Sequence, residues 1–392
     1  MKFYKKVFCR VYQAAVRTAM VFMPWRQPEL ITGEGCFRSL PQKVGKGFPL
    51  VICDKSGVAR GVTKGLENYP LYDGVLPNPT VAQVEEAVKL YEKNGCDCIV
   101  AVGGGSVMDC AKAVGARVAR PDKSVNQLRG LLKVRKAIPT LYAVPTTAGT
   151  GSECTVAAVI TDSEKQDKYA INDFALIPRY AVLDPLLTVG LPAHLTASTG
   201  MDALTHAVEA YVGRSNTSAT KKQAEEATEL IFRYLYAAYC DGGNVEARQQ
   251  MQRAAYLAGL AFTRAYVGNV HAMAHSLGGR YGTAHGVANA VLLPVVLEEY
   301  GKCVHKKLAR LAVLCNVAHS SDEASVAAKK FIEAIRALNE KTGIPDAFAE
   351  ARRADVPFLA AHAAREANPL YPVPQLWDEK KFTQVFLKVI KD

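Results

Sequence analysis

Four of the eight histidines of this chain fall between Met201 and Gly286. The segment opens as MDALTHAVEA from Met201 and resumes as HAMAHSLGGRYGTAHG from His271. Asp202 and His206 are spaced i, i+4, so on a helix they share one face about one turn apart. His271 and His275 repeat that spacing, and His285 follows ten residues later, just before Gly286. One carboxylate with three imidazoles is a ligand set suited to iron(II) or zinc. Any one of these histidines alone reads equally well as a helix cap or a satisfied core residue. The grouping is what points to a metal.

A second group of residues has the chemistry of nucleotide binding. Gly103, Gly104, Gly105 and Ser106 follow the apolar run CIVAV and precede a helical pattern, VMDCAKAVGA. Glycines at a strand-to-helix turn let the backbone approach a phosphate, and the free N–H groups of the helix start favour negative charge. The pattern is not G-x-G-x-x-G, and such turns also serve purely structural ends. Asp54 ends the run LVICD, where a carboxylate accepts hydrogen bonds from a ribose and repels a 2′-phosphate. That favours NAD over NADP; a solvated turn residue is the bland alternative. PTTAGTGSE, from Pro145, adds Thr146, Thr147 and Thr150 on another glycine-rich strand end.

These residues need a scaffold. PLVICD (49–54), DCIVAVGGG (97–105), YAVPTTAGTG (142–151) and YAVLDP (180–185) read as strands ending in turns. Segments of helical period such as TVAQVEEAVKLYEKNG (80–95) lie between the first three. Strands alternating with helices predict a parallel α/β sheet covered on both faces. After Pro192 the character changes to Ala-, Leu- and Glu-rich helical segments with no convincing strand. The expected division is an α/β dinucleotide-binding domain over 1–192 and an all-helical metal and substrate domain over 193–392.

With 392 residues, 49% hydrophobic and 22% charged, the chain is globular and long enough for two cores. The net charge of +11 is scattered, with no nucleic-acid-binding signature. No nucleic-acid partner is expected, and the charge is read as setting solubility. Ten irregularly spaced cysteines form no CxxC pair, and several sit in apolar runs as small buried hydrophobes. A reducing cytoplasm is the expected compartment. The N-terminal MKFYKKVFCRVYQAAVRTAMVFMPW has neither a signal-peptide core nor a cleavage site. Phe8, Val11, Tyr12 and Ala15 recur at helical spacing, predicting an amphipathic helix that docks on the body by default, with a partner subunit or a membrane surface as the alternatives. No stretch is long enough to span a membrane.

Together GVLPNPT, GGGSVMDCAKA, PTTAGTGSE, LTASTGMDALTHAVEAYV, HAMAHSLGG and AHGVANAVLLP resemble, in order, the motifs of the iron-containing (group III) alcohol dehydrogenases. The resemblance covers most of the chain. It implies the dehydroquinate synthase-like fold of that family, with a dinucleotide-binding α/β half, a helical half, and metal and substrate in the cleft between them. By position it implies that Asp202, His206, His271 and His285 ligate the metal, while His275 stands beside it as a proton relay or orienting group. Asp54, Asn78, Gly104, Gly105, Ser106, Thr146, Thr147 and Lys168 match the family's cofactor-contacting positions. Asp109 is expected to support the glycine loop. Ser276 and Ala284 replace prolines common in relatives and change no ligand type. The tail 367–378 is variable in the family and is expected to shape the substrate pocket or the subunit surface.

The implied activity is hydride transfer between NAD(H), NADP(H) being less favoured, and a small alcohol or aldehyde, with Fe2+ or Zn2+ acting on the substrate oxygen. A homodimer or larger homo-oligomer is implied by the resemblance alone. Zinc-dependent, glycerol dehydrogenase-like polyol oxidation uses the same architecture. Dehydroquinate synthase chemistry needs a basic cluster that is not evident around Asp202–His285. A metallohydrolase would leave Asp54 and the glycine loop unexplained, and assembly or metal storage without catalysis would leave two intact sites unused.

Overall fold

The computed structural model describes residues 1–164 and 167–391. It contains two compact units. One comprises residues 24–191 and 243–259; the other comprises residues 1–23, 192–242 and 260–392. One boundary between the units falls between Leu191 and Pro192, and residues 1–23 and 243–259 fall outside a single cut there. The N-terminal helix α1 (Phe3–Val21) belongs with the C-terminal helices. Most of α8 (Val245–Ala265) belongs with the sheet.

The first unit is built on a fully parallel six-stranded sheet, β1 (Glu29–Thr32), β2 (Pro49–Ile52), β3 (Leu71–Tyr72), β4 (Cys98–Gly103), β6 (Thr140–Pro145) and β9 (Tyr180–Leu183). Their spatial order is β1-β9-β6-β4-β2-β3. Every residue of β4 is buried. Ile99 and Ala101 face one core while Cys98, Val100 and Val102 face the other, which is why this strand reads as a continuous apolar run. The first core is closed by α4 (Val81–Lys93) and α5 (Gly105–Ala119). The second is closed by the short helices α2 (Leu40–Val44) and α3 (Lys55–Ala59) and their neighbours Phe37, Val62 and Leu66. Thr80 caps α4 with Gln83 answering as a capping box, so the helix begins where its period does. Three of the five strands the sequence did not reveal, β5 (Gly130–Leu131), β7 (Ala157–Asp162) and β8 (Asp167–Asn172), form a small second sheet. Their burial alternates or is partial, so no unbroken apolar run announces them.

The second unit packs α6 (Ala193–Val212), α7 (Ser218–Cys240), α9 (Asn269–Tyr281), α10 (His285–Tyr300), α11 (His305–Leu314), α12 (Ala324–Lys341), α13 (Val356–Ala367) and α14 (Glu379–Val389). Helix α6 is buried almost throughout, and α9 and α10 pack against each other, α10 also against α6. Beyond residue 192 the described residues hold no strand, as expected from the sequence.

Helix α1 forms where predicted, but its docking face is not the apolar one. Cys9 and Gln13 are buried, whereas Phe8, Val11 and Ala15 point outward. The seam is hydrogen-bonded: Gln13 Nε2 donates to the carbonyls of Pro369 and Tyr371, and Arg10 donates to those of Val373 and Pro374. All ten cysteines are free thiols, with Cys240 and Cys303 exposed. No helix among the described residues is long and apolar enough to cross a membrane.

Candidate metal and cofactor sites

Asp202 and His206 lie one turn apart on α6, His271 is in the first turn of α9, and His285 is the first residue of α10. One potential ligand atom from each lies within 4.8 Å of all the others. Close approach of α10 to α6 brings this about. A Cβ on Gly286 would sit 2.2 Å from the Ser198 carbonyl oxygen, so only glycine after His285 lets the helices meet here. His271 Nε2 and His285 Nε2 stand 3.9 and 3.4 Å from Asp202 Oδ1. The Asn289 side-chain amide, one turn along α10 from His285, fixes the spacing. Its Nδ2 is 2.7 Å from Asp202 Oδ1, 3.2 Å from His271 Nε2 and 3.1 Å from His285 Nε2.

Convergence of lone-pair donors on one point is what a divalent cation requires. Burial, reinforced by the neighbouring imidazoles, holds His271 well below the ordinary histidine range. Burial likewise brings His285 down to about 4, against the opposing pull of Asp202. Both rings are neutral at pH 7 and keep a lone pair for coordination. The donor set fits iron(II) or zinc.

The orientation of His271 is set by a residue that the sequence reading passed over. Glu209, fully buried on α6, accepts hydrogen bonds from the backbone N–H groups of Gly268 (2.7 Å) and Val270 (2.8 Å). Its Oε2 lies 2.7 Å from His271 Nδ1. A carboxylate at that distance fixes the proton on Nδ1 and leaves Nε2, facing Asp202, as the available donor atom. Burial pushes the Glu209 carboxyl up to about 7, with the donors at Val270, Gly268 and His271 pulling the other way. A local signal existed: Asp202, His206 and Glu209 are spaced i, i+4, i+7, one stripe of a helix.

His275 lies one turn beyond His271, its ring stacked on that of His285 with centroids 5.1 Å apart. It does not join the four-residue cluster. Instead its Nδ1 is 2.5 Å from Glu366 Oε1, on α13, and Tyr371 donates its hydroxyl to the same oxygen at 2.8 Å. Burial works against a charged His275, but the Glu366 carboxylate prevails and its pKa is raised. No local pattern announces Glu366 or Tyr371. Tyr371 belongs to the variable tail, which thereby contacts Glu366.

In the sheet unit, the predicted nucleotide-binding residues gather at the carboxyl ends of three adjacent parallel strands. Asp54 follows β2, Gly104–Ser106 follow β4, and Thr146–Thr147 follow β6. In open α/β sheets this edge is where ligands bind. Gly104 is the N-cap of α5 and no side chain caps the helix, so its first N–H groups remain available for phosphate. A Cβ on Gly105 would lie 2.7 Å from the Thr150 methyl group, which explains glycine at that place. Asn78 adopts φ 60°, and its N–H donates to Ser106 Oγ (3.3 Å). Lys168 pairs in register with Thr161, whose N–H donates to the Pro79 carbonyl, beside Asn78. Asp54 caps α3 by accepting from Gly57 N–H (2.9 Å) and Ser56 Oγ (2.5 Å). Asp109 accepts from Ser152 Oγ (2.9 Å) and Val159 N–H (3.0 Å), tying α5 to the end of PTTAGTGSE. Beside it the fully buried Lys112 donates to Ser152 Oγ, Thr155 Oγ1 and the carbonyls of Thr155 and Ala157. Burial lowers the Lys112 pKa to about 8.

A parallel sheet whose strand ends carry the predicted nucleotide-binding residues, in one chain with a helical Asp/His3 cluster, is the arrangement expected of a metal-dependent dehydrogenase acting on CH–OH groups. Residues 27–185 match the iron-containing alcohol dehydrogenases, and residues 196–390 match the C-terminal region of that family. The chain is 40% identical to a 1,3-propanediol dehydrogenase of Klebsiella pneumoniae over 91% of this chain and 93% of that one. It is 36% identical to an NAD-dependent methanol dehydrogenase of Bacillus methanolicus, over 87% of this chain and 94% of that one. A crystal structure of 1,3-propanediol oxidoreductase superposes with a TM-score of 0.89 at 35% identity, covering 94% of this chain and 100% of the other. The protein belongs to the iron-containing alcohol dehydrogenase family.

Proposed function

We propose that the protein interconverts small alcohols and aldehydes with NAD(H), using Fe2+, or Zn2+ in its place, held by Asp202, His206, His271 and His285. The observation that carries this is the convergence of those four side chains. A cation there supplies Lewis-acid polarisation of the substrate oxygen, and the nicotinamide supplies the hydride. The residues do the positioning. Glu209 fixes the His271 ring, and Gly286 lets α10 reach α6. His275, paired with Glu366, holds a proton at Nδ1 and keeps its second nitrogen for exchange with substrate or solvent.

On the nucleotide side, Asp54 would accept from the ribose hydroxyls, which favours NAD over NADP. The N-terminal turn of α5 at Gly104, Gly105 and Ser106 would take the pyrophosphate. Thr146 and Thr147 follow β6 at the same edge, and Asn78, hydrogen-bonded to Ser106, and Lys168, on the second sheet, would complete the contacts. A homo-oligomer and a cytoplasmic site of action belong to the same proposal; the ten free thiols support the latter.

The test is to strip the metal, reload with iron(II) or zinc, and follow NADH oxidation against a panel of small aldehydes, with metal content measured alongside. We expect metal-dependent turnover, with His271→Ala losing metal and turnover together and His275→Ala keeping metal but turning over slowly. Full metal content in His271→Ala would remove it from the ligand set. Absence of NADH binding would overturn the reading of Asp54 and the glycine turn.

A further inference from the structure

Helix α1 lies before the match to the family, which begins at residue 27. Neither the metal cluster nor the nucleotide-binding edge uses its outer face. That face is apolar. Phe3, Tyr4, Phe8 and Val11 are 81%, 61%, 61% and 63% exposed, and Phe22, at the helix end, is 83% exposed. The positions 4, 8, 11, 15, 18 and 22 alternate steps of four and three, so they form one continuous stripe along the helix. Water alone would favour the opposite arrangement. Instead the helix is fastened by the hydrogen bonds of Arg10 and Gln13, with its aromatic side chains turned outward.

Charge decides what covers this face. There is no Asp or Glu before Glu29, while Lys2, Lys5, Lys6, Arg10 and Arg17 all lie on α1 or its cap. At 100° per residue, Lys5 flanks the apolar stripe, while Lys6 and Arg17 lie further round, toward the side of Gln13. A lysine placed as Lys5 is reaches past an apolar face with its charged end. Stacking the same face of a second copy against it would oppose two basic helices with no acidic partner on either. An anionic phospholipid surface offers both an apolar layer and negative headgroups.

We propose that α1 seats the protein on anionic membrane surfaces, lying in the interface with Phe3, Tyr4, Phe8, Val11 and Phe22 among the acyl chains and the exposed lysines of its first turns, Lys5 foremost, drawn to phosphate headgroups. The helix rests on the surface and does not cross it. Because its inner face holds the carbonyls of residues 369–374, the membrane-facing and body-facing roles fall on opposite sides of one helix.

The experiment is co-sedimentation of the full chain with vesicles of phosphatidylcholine alone or mixed with phosphatidylglycerol, at low and high salt, with sedimentation velocity of the free protein. We expect binding to the mixed vesicles that weakens at high salt, and little binding to phosphatidylcholine. Phe8→Asp/Val11→Asp should lower the bound fraction by roughly tenfold or more. Lys5→Glu/Lys6→Glu should abolish the preference for phosphatidylglycerol. Both variants alter exposed residues, so dehydrogenase turnover should stay at the wild-type level and report an intact fold. Failure of the wild-type protein to pellet with mixed vesicles would overturn the proposal. So would undiminished binding by Phe8→Asp/Val11→Asp. A smaller oligomer as that variant's sole change would assign the face to a second copy instead.

Discussion

Replacing Glu209 with Gln tests whether the shell behind the four clustered side chains sets their affinity for metal. The substitution keeps size and shape but exchanges one acceptor oxygen for an NH2 donor. In the native arrangement Oε1 accepts from Val270 N–H, while Oε2 accepts from Gly268 N–H and faces His271 Nδ1. An amide must therefore point a donor at a donor on one side or the other. If the NH2 turns toward His271, the ring is driven to carry its proton on Nε2, the nitrogen facing Asp202, and loses its coordinating lone pair. If it turns toward Val270, the first turn of α9 loses a buried hydrogen bond, at a cost of about 1–3 kcal/mol. Loss of such an outer partner lowers metal affinity by about 10–100-fold, or roughly 1.4–2.7 kcal/mol. The assay is competition for zinc against a chromogenic chelator, with a thermal melt of the same sample. We expect weaker metal binding by that factor in a folded protein. Wild-type affinity in a folded Glu209→Gln variant would refute the argument that this carboxylate holds the tautomer of His271.

Three further outcomes are expected. In Gly286→Ala the new Cβ would meet the Ser198 carbonyl oxygen at 2.2 Å, so α10 must withdraw from α6 at about 1–3 kcal/mol; metal affinity should fall while NADH binding, measured by fluorescence titration, holds. Lys112→Met strands four acceptors in the sheet unit and should destabilise it by about 3–5 kcal/mol in urea unfolding; an unchanged midpoint would show that the network contributes nothing. Glu366 raises the His275 pKa above 6.5, so the stabilisation from that pair is full below 6.5 and fades as pH rises through the folded value. Glu366→Gln should therefore lower the melting temperature more at about pH 6 than at about pH 8, and a deficit that grows with pH would contradict the sign.

The local chemistry of this protein was legible in its residue order. Spacing of four placed Asp202 with His206 and His271 with His275, because a helix returns to the same face every 3.6 residues. Runs such as CIVAV identified the central strands because burial on both faces leaves no polar alternation. The turn at Gly103–Ser106 was visible because glycine at a strand end leaves a local mark. What sequence order could not supply was which distant segments meet. The adjacency of β2, β4 and β6, which brings Asp54, Ser106 and Thr146 to one edge, depends on strand order in the sheet. Asn289 becomes the centre of the cluster, and Glu366 the partner of His275 across 91 positions, only when helices pack. Helix α1 shows the same limit from the other side. Its periodicity identified an apolar face, but the partly buried carbonyls of Pro369, Tyr371, Val373 and Pro374 take donors from Arg10 and Gln13. Periodicity therefore determined that a face exists, and packing determined which way it points.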